Sequence, residues 1–413
     1  MSISTQPKDY NVLFLDMNSF FASVEQQVQP TLRGLPVGVA PYTGDSGCII
    51  AASYEAKFKG AKIGRIKDIK RICPDIKILP ARPALYMLYH KEIRRVIEKF
   101  TPFYDTLSID EFAIHLTPQD QSREKAVKMA EGLKRAIKEE AGDYLKCSIG
   151  ISSSTFLAKM AGERQKPDGL TVLELKNLRE FYSELKLTDL VGISWRLEAQ
   201  LNKFGIDSPL DLFEKSVGEL IGILNHWGRL WYFRLRGHEV DDFKVNPPAG
   251  GKTIGHSCVL APEFRSKEGA MAVLRKLVAK AGFRLRKGGY QAGGVSVVIN
   301  FLDKTSFHLT KKCQYFSDNW SFLDQIYGLL KSCLWQSRPI LVAVSSFNLR
   351  RSENFDQLSF LRDIEKAKKL SETLDDLSER YGPESICQAS MFNTGESAPD
   401  RIPFGRPRYD IRN

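Results

Sequence analysis

One apolar segment near the N-terminus constrains the fold more than any other feature of the chain. Residues Asn11 to Met17 read NVLFLDM, so the side chains are almost all apolar apart from the carboxylate of Asp16. A continuous apolar run of this length is typical of a strand that is covered on both faces of its sheet. A helix is expected to follow over Phe20 to Gln27. The fold must therefore bring an acid to the end of a buried strand.

Beyond this strand, helical and strand-like segments alternate, which indicates an α+β multidomain protein whose sheets are covered by helices. The predicted helices are 85–100, 122–140, 154–164, 265–287 and 362–381, and the predicted strands are 104–117, 146–152, 294–301 and 339–349. Between 33 and 83, glycines and prolines break the pattern, which indicates a small inserted subdomain. Short helices are expected over 185–213, a linker over 240–252 and an unstructured tail after 394.

Two further acids, Asp110 and Glu111, lie next to each other inside another apolar, strand-like stretch. A buried carboxylate is unfavourable unless it is paired or binds a metal ion, and a single such acid is usually a helix cap or half of an ion pair. A helix cap or an ion pair is a weaker explanation when two separate strands each carry acids at an apolar boundary. Mg²⁺ prefers carboxylate and phosphate oxygens, and two ions can hold both oxygens of an in-line displacement. Because side chains alternate along a strand, Asp110 and Glu111 would project from opposite faces of a regular strand. For both to reach the metal ions, the backbone must turn or bulge at this pair, and we predict that it does.

The charge balance favours a polyanionic partner. The chain has 60 Lys and Arg against 49 Asp and Glu, a formal net charge of +11, and this excess favours nucleic acid through counterion release. A ribosomal or merely well-solubilised protein has a similar balance, so charge alone does not name the partner. No apolar run has the length of a membrane span and the N-terminus lacks a signal-peptide core, so a cytoplasmic protein is expected. The seven cysteines include no CxxC pair, and packing is the expected role of Cys48, Cys73 and Cys147, which have apolar neighbours in the sequence.

Four motifs in a fixed order carry a resemblance to a known family. They are LDMNSFFASVE (15–25), YEAKFKGAKIG (54–64), LSIDE (107–111), and SIGIS with FLAKMAGERQKPDGLTVL (148–173). In these motifs, and more loosely over residues 10 to 390, the chain resembles the Y-family of translesion DNA polymerases, in its DinB-like (polymerase IV) and UmuC-type (polymerase V catalytic subunit) branches. The resemblance implies a right-hand polymerase with a palm, small fingers, a helical thumb that contains a helix-hairpin-helix, and an α/β little finger.

The resemblance also implies domain boundaries, an activity and partners. The implied domains are palm 1–28 and 85–174, fingers 29–84, thumb 175–240, linker 241–252, little finger 253–350, and a C-terminal helix and tail 351–413. The implied activity is low-fidelity, DNA-directed transfer of a dNTP to a primer 3′-OH with two Mg²⁺ ions. The implied partners are primer–template DNA, the dNTP and, as a further candidate, a sliding clamp, with the chain acting as a monomer or in a mutasome-like assembly.

Individual residues take their expected roles from the same motifs. Asp16, Asp110 and Glu111 match the catalytic, metal-binding carboxylates, and the backbone carbonyl of Met17 matches a further ligand. Phe21 matches the steric gate, whose ring fills the space that a ribose 2′-OH needs, although ordinary helix packing is the alternative. Backbone N–H groups at the start of the following helix are expected to donate to the triphosphate. The residues expected to bind the nucleotide are Asn18, Ser19, Phe20, Phe21, Tyr54, Lys57 and Lys166.

Two of these positions depart from the pattern of the family. Lys57 stands where many relatives have Arg, so a point charge replaces a two-pronged guanidinium and weaker geometric control is expected. Asn18 stands where a second acid is common, which puts any accessory metal contact through that side chain in doubt.

The expected DNA contacts are less specific. LVGIS (190–194) resembles the hairpin of a helix-hairpin-helix, with Ser194 in place of the usual second glycine, so Gly192 and Ser194 are expected to bind phosphate through backbone N–H groups. An ordinary helical turn is the alternative. The predicted helix 265–287 is strongly basic, and Arg284 and Arg286 are expected to contact DNA unless this is only a solvated face.

A short peptide near the C-terminus resembles a sliding-clamp ligand. It reads QLSFL over 357–361, and Gln357, Leu358, Phe360 and Leu361 are the candidate clamp-binding residues. Packing of this peptide on its own domain is the alternative.

Two other classes of function stay open from the sequence. A catalytically silent DNA-binding homologue is one, and loss of a metal-binding acid would indicate it, but none is lost. A helix-hairpin-helix repair scaffold or nuclease is the other, and it does not explain the Phe21 and SIDE motifs.

Overall fold

The computed structural model describes residues 7–45, 47–240, 253–352 and 362–382, together with 385–386, 389–395 and 397–398. These residues form two compact units, one built from the chain up to residue 240 and the other from residue 253 onward. The predicted linker 241–252 lies outside the described residues. No helix in the described ranges is long and apolar enough to span a membrane.

The first unit contains ten strands and eleven helices among its described residues. The strands are β1 Val12–Met17, β2 Val37–Ala40, β3 Cys48–Ile49, β4 Ala51–Ala52, β5 Gly64–Arg65, β6 Lys77–Pro80, β7 Tyr104–Thr106, β8 Glu111–His115, β9 Cys147–Ser152 and β10 Leu170–Val172. The helices are α1 Phe20–Val28, α2 Tyr54–Phe58, α3 Ile66–Ile72, α4 Pro83–Phe100, α5 Arg123–Ala136, α6 Thr155–Glu163, α7 Leu178–Ser183, α8 Trp195–Asn202, α9 Pro209–Glu214, α10 Val217–Leu224 and α11 His226–Leu235.

A five-stranded sheet in the order β10-β9-β1-β8-β7 forms the centre of this unit. Strand β1 lies between two antiparallel neighbours, and helices cover both faces of the sheet, which is why its sequence is apolar throughout. On one face, Leu13 and Leu15 pack with α4 and α5. On the other face, Val12 and Phe14 pack with Ala158 of α6. Since side chains alternate along β1, Asp16 lies on the face of Phe14 and therefore on the side of α6.

Two smaller parts flank this sheet within the first unit. Residues 37–80 form a three-stranded sheet (β4-β2-β6) and a two-stranded sheet (β3-β5), which share a core of their own with α2 and α3. Helices α7 to α11 form a helical part whose core includes Leu201, Leu212 and Trp231.

The second unit is an antiparallel sheet with helices packed on one face. Its elements are β11 Thr253–Val259, α12 Lys267–Lys287, β12 Tyr290–Phe301, β13 Ser306–Phe316, α13 Asn319–Leu330, β14 Pro339–Arg351 and α14 Arg362–Tyr381. The strand order is β11-β14-β12-β13. Val297 and Ile299 of β12 face the core formed with α12 and α13, so neighbouring residues such as Ser296 and Val298 point to the opposite face.

Candidate active site

The predicted acids meet at one end of the central sheet. Asp16 on β1 lies directly opposite Glu111 on β8 in the antiparallel register. Residues that face each other in this way project their side chains from the same face of the sheet, with Cβ atoms about 5 Å apart. The sheet pairing therefore brings together two carboxylates that are 95 residues apart in the sequence.

Asp110 lies in the bend that connects β7 to β8, one residue before β8 begins. The backbone turns there as predicted, and the bend is closed by hydrogen bonds from the Leu107 and Ser108 N–H groups to the Glu111 carbonyl, at 2.9 and 3.3 Å. The Met17 N–H donates to the Asp110 carbonyl at 2.9 Å, which ties the bend to the end of β1. The Ser108 hydroxyl donates to Asp110 Oδ1 at 2.5 Å. The turn thus carries Asp110 next to the Asp16–Glu111 pair.

Burial makes the charged forms of these acids unfavourable. It raises the pKa of Asp16 to about 7, and the nearby charge of Asp110 adds to that rise while the ammonium of Lys166 opposes it. Burial also raises the pKa of Asp110, with Glu111 adding to the effect and the Ser108 hydroxyl opposing it. Strongly perturbed carboxylates of this kind are typical of functional sites that bind cations.

Two lysines balance the acids in this structure. Lys166 Nζ lies 3.0 Å from Asp16 Oδ1, and Lys159 Nζ lies 2.5 Å from Glu111 Oε1. Lys166 also pairs with Glu163 at 2.7 Å. Within the described residues, no group of three His, Cys, Asp or Glu side chains is arranged so that it could hold a metal ion. The carboxylates of Asp16 and Glu111 are thus each paired with a lysine of the same protein, whereas Asp110 accepts from the Ser108 hydroxyl.

The pairing of Lys159 with Glu111 was not predicted from the sequence. Lys159 lies on α6, near the ring of Phe14, and its ammonium is 5.1 Å from the ring centre. Lys159 and Glu163 are spaced i, i+4 and so share one face of α6, and Lys166 lies in the turn that follows this helix.

Asn18 has a structural role that removes one predicted donor. Its backbone N–H donates to the Lys146 carbonyl at 2.8 Å, so this N–H is not available to a triphosphate. Its side-chain amide donates to the Ser148 hydroxyl at 3.1 Å, and its side-chain oxygen accepts from the Asp168 N–H at 2.7 Å. The residue is buried and joins the end of β1 to β9 and to the turn that precedes β10.

The next residues form the turn from β1 into α1. Ser19 adopts a left-handed backbone conformation with φ of 49°, and α1 begins at Phe20. The first N–H groups of a helix have no acceptor within the helix, so this turn presents donors close to the acids. The Ser19 hydroxyl is buried and has no hydrogen-bond partner in the described part of the chain.

Phe21 is held in a fixed position by an aromatic neighbour. Its ring stacks on Tyr86 of α4 with centroids 4.6 Å apart and an angle of 23°. The Tyr86 hydroxyl donates to Glu25 at 2.7 Å, and Arg82 forms an ion pair with the same carboxylate. Phe21 is largely buried, with 5% of its surface exposed.

Tyr54 and Lys57 on α2 belong to the same electrostatic neighbourhood. Burial raises the pKa of Tyr54, and the charges of Lys166 and Asp16 both act on it. The Lys57 side chain is exposed as a whole, but its ammonium lies 4.5 Å from the centre of the Tyr54 ring. Partial burial of this ammonium, together with repulsion from Lys166, lowers the pKa of Lys57. Two cations and a hydroxyl therefore lie close to the acids.

The predicted hairpin of the helical part is a tight turn that leads into a helix. Gly192 has a φ of 101°, a conformation that favours glycine, and Ser194 is the residue that precedes α8. The Ser194 side chain makes no capping hydrogen bond, so the first N–H groups of α8 have no side-chain acceptor from it. The residues before the turn form a short 3₁₀ turn over Leu187–Asp189 rather than the α-helix that the resemblance implies.

Arg286, which is predicted to contact DNA, is bound to other residues of the second unit in this structure. Its guanidinium donates to both carboxylate oxygens of Asp375 at 2.6 and 2.8 Å and to the Ser317 carbonyl at 2.8 Å, and only 7% of the side chain is exposed. Arg284, by contrast, is half-buried and makes no ion pair with another described residue. Most of the other basic residues of α12 bind the C-terminal part of the second unit. Lys287 pairs with Glu379, Lys276 donates to the carbonyls of Thr394 and Gly395, and Lys280 donates to that of Ala398.

The clamp-binding candidates Gln357, Leu358, Phe360 and Leu361 lie outside the described residues, so that hypothesis stays a prediction.

Comparisons with known sequences agree on one family. The model described as the impB/mucB/samB family matches residues 15–163, and the model of the C-terminal domain of that family matches residues 251–360. The chain is similar to a DNA polymerase IV of Moorella thermoacetica, with 34% identity over 92% of this chain and 96% of that protein. It is also similar to a DNA polymerase IV of Oceanobacillus iheyensis, with 29% identity over 96% of each.

Solved structures give the same result for the fold. A chimera of the Y-family DNA polymerases Dbh and Dpo4 matches with a TM-score of 0.67 and 23% identity, over 83% of this chain and 99% of the chimera. An insertion ternary complex of Dbh DNA polymerase matches with a TM-score of 0.55 and 25% identity, over 83% of this chain and 99% of that one.

Proposed function

This chain belongs to the Y-family of DNA polymerases and is a translesion DNA polymerase of the DNA polymerase IV type, and from that premise we propose that Asp16, Asp110 and Glu111 form the centre at which a primer 3′-OH attacks the α-phosphate of a dNTP. The observation that carries this proposal is the convergence of the three acids at the end of β1, two of them half-buried with pKa values that burial raises. A reaction that transfers a nucleotidyl group needs positioned charge more than it needs a covalent catalyst.

The chemistry of this donor set fits divalent metal ions. All three acids offer carboxylate oxygens, which Mg²⁺ prefers, and a cation stabilises carboxylates whose pKa burial has raised. In the structure the three carboxylates are not arranged to hold an ion, and two of them are paired with lysines. After these side chains rearrange, they and the Met17 carbonyl would hold two ions. When bound, Mg²⁺ neutralises negative charge and lowers the pKa of a hydroxyl. Because Lys159 and Lys166 pair with two of the acids, we expect their ammonium groups to move aside when metal binds.

The triphosphate fits beside the acids for electrostatic reasons. Lys166 and Lys57 supply positive charge, and the Tyr54 hydroxyl is a donor in the same neighbourhood. The N–H groups at the start of α1 add further donors at a helix N-terminus, where anions bind favourably. We infer that Ser19, Phe20 and Phe21 provide these donors, without Asn18, whose N–H is already bonded.

Phe21 is the proposed sugar gate. Its position one residue into α1, next to the donors for the triphosphate, puts an apolar ring near the sugar of a bound nucleotide. A ribose 2′-OH against such a ring finds no hydrogen-bond partner, which disfavours ribonucleotides. The stack on Tyr86 keeps the ring from turning away.

Primer–template DNA is the proposed partner of both units. In the first unit, the turn at Gly192 and Ser194 leads into the N-terminus of α8, where backbone N–H groups can donate to a phosphate. In the second unit, we propose that DNA lies against the face of the sheet opposite to α12 and α13. This face carries small and hydroxyl-bearing side chains that allow close approach, with Lys312 as a cation on the edge strand β13. Its small or hydroxyl-bearing residues are Thr253, Gly255, Ser257, Gly294, Ser296, Thr310, Ala343 and Ser345.

The remaining parts of the proposal concern organisation and a clamp. We propose that residues 1–28 and 85–174 are the palm, 29–84 the fingers, 175–240 the thumb and 253–350 the little finger. We also propose that a sliding clamp binds the peptide 357–361.

Primer extension tests the assignment of the acids. With Mg²⁺ and dNTPs, Asp110→Asn should reduce the rate constant for nucleotide addition by about 1,000-fold or more, because a charge essential for phosphoryl transfer is lost. Asp105→Asn is the matched control, since Asp105 lies on the same hairpin but pairs with His115 at 3.0 Å, and its rate should stay within about twofold. Equal activity of Asp110→Asn and wild type would show that the acids are misassigned.

A further inference from the structure

A buried histidine lies behind the bend that carries Asp110. His90 is in the middle of α4 and is 1% exposed. Its Nδ1 lies 2.7 Å from the carbonyl oxygen of Ile109, and because a carbonyl can only accept, Nδ1 must carry the hydrogen and donate. The imidazole also stacks on the ring of Phe112, with centroids 5.4 Å apart and an angle of 15°.

These two contacts lie on either side of the catalytic acids. Ile109 comes directly before Asp110, and Phe112 comes directly after Glu111. The other hydrogen bonds that close the bend run within the hairpin or to the end of β1, whereas His90 joins it to the helical layer. One side chain therefore contacts the backbone of the residue before the two acids and the ring of the residue after them.

We propose that His90 is a positioning residue that fixes the 107–111 bend so that Asp110 and Glu111 are preorganised for metal-dependent nucleotide addition. This inference rests on the proposed function of those acids. A purely apolar residue at position 90 would fill the space, but it would leave the Ile109 carbonyl without this donor. A small shift of the bend is enough to matter, since catalytic groups act only within a narrow range of positions.

The same face of α4 also supports the sugar gate. Tyr86, which stacks on Phe21, lies four residues before His90 and so one helical turn away. Helix α4 thus contacts both Phe21 and the acid-bearing bend, so displacement at position 90 is expected to affect the acids while Tyr86 keeps the gate in place.

Three variants separate the contacts of His90. His90→Phe keeps an aromatic ring for Phe112 and removes the donor. His90→Asn keeps an N–H donor at the level of Nδ1 and removes the ring. Ile93→Val is the matched control, because Ile93 is fully buried on the same helix and its truncation loosens packing without removing a hydrogen bond to the bend.

The first readout is amide hydrogen exchange in the metal-free, full-length protein. In His90→Phe, the Leu107, Ser108 and Met17 amides should exchange about tenfold faster, because these hydrogen bonds depend on the position of the bend. His90→Asn should stay within about threefold of wild type, and Ile93→Val should leave these amides unchanged relative to the rest of the sheet. The inference is overturned if the three variants alter exchange alike, or if His90→Phe alters it nowhere.

The second readout is the dependence of primer extension on Mg²⁺. His90→Phe should raise the Mg²⁺ concentration for half-maximal rate about fivefold and lower kcat about tenfold, while KM for dNTP stays within about twofold, because the triphosphate donors lie elsewhere. His90→Asn should recover most of the kcat. A loss of kcat in His90→Phe with no change in Mg²⁺ dependence would contradict a positioning role and indicate general destabilisation.

Failure of this inference is distinguishable from failure of the proposed function. If wild type extends primers and Asp110→Asn does not, the acids are assigned correctly whatever His90→Phe shows. If Asp110→Asn is as active as wild type, the proposed function fails, and the exchange experiment alone still reports whether His90 holds the bend.

Discussion

At the scale of single residues, two lysines and one amide have partners that the sequence alone does not identify. Lys159 and Lys166 neutralise Glu111 and Asp16 where bound metal is expected to compete for the same oxygens. Asn18 stands where relatives often have an acid, but in this chain its amide connects β1 to Ser148 and Asp168. The departure from the family pattern is thus a structural link, because an amide both donates and accepts hydrogen bonds and a carboxylate only accepts.

The assignment of Phe21 as sugar gate leads to a prediction at this scale. Phe21→Ala should raise the ratio of ribonucleotide to deoxyribonucleotide incorporation by about 100-fold, because the space for a 2′-OH opens. Competitive primer extension with rNTP and dNTP measures this ratio. Phe20→Leu, at a neighbouring buried ring 5.8 Å away, is the control and should leave the ratio unchanged. Unaltered sugar selection in Phe21→Ala would remove the gate assignment.

At the scale of elements, helix α12 and strand β13 differ most from the expectations. The basic residues of α12 suggested a DNA-binding face, but Arg286 and Lys287 pair with α14, and Lys276 and Lys280 bind carbonyls of the C-terminal segment. Strand β13 was not predicted, nor was α13. The residues of β13 are mostly exposed and polar, because β13 is an edge strand that faces little of the core. The alternation of apolar and polar residues that usually predicts a strand is therefore missing.

The different surroundings of Arg286 and Arg284 on α12 predict opposite effects when each is replaced by alanine. Arg286→Ala should lower the free energy of unfolding of the second unit by about 3 kcal/mol, because it removes a nearly buried guanidinium and leaves the half-buried Asp375 without its partner. Its Kd for primer–template DNA should change little under conditions where the protein is folded. Arg284→Ala should leave stability within about 0.5 kcal/mol and weaken DNA binding. Thermal unfolding and equilibrium binding measure the two effects, and the reverse pattern would restore Arg286 as a DNA contact.

At the scale of the whole molecule, the charge and the two-unit construction point to extended contact with DNA. The acids, the nucleotide-binding cations and the proposed gate all belong to the first unit, while the second unit offers a sheet face of small and hydroxyl-bearing residues. The proposed contacts with the phosphate backbone on both units would account for an excess of basic residues over the whole chain, with a formal net charge of +11.

Salt dependence tests which face of the second unit meets DNA. Lys312 lies opposite Gly294 in the register and so on the proposed DNA face, whereas Lys311 lies opposite the buried Val295 and so on the helix side. Lys312→Ala should reduce the slope of log Kd against log salt by about 1, the loss of one phosphate contact. Lys311→Ala, an equally exposed lysine on the same strand, should leave the slope unchanged. Equal slopes for both variants would mean that DNA does not use this face.

The sequence by itself determined the family, the central strand, the longest helices and which acids were expected to meet at the end of that strand. These features depend on local patterns, since both apolar periodicity and motifs occur within short, continuous stretches of the sequence. The predicted turn at Asp110 also came from a local argument, the alternation of side chains along a strand. The structure confirms it through the bend between β7 and β8.

Only the tertiary structure decided which partner each charged or polar side chain has. Arg286 and Arg284 are two residues apart on one helix, yet one is buried against Asp375 and the other is not. His90 could be assigned no role from its neighbours in the sequence, because the carbonyl and the ring that it contacts are about 20 residues away. Partners of this kind are set by packing between distant segments, and the free energy of a buried polar group depends on the partner it finds there.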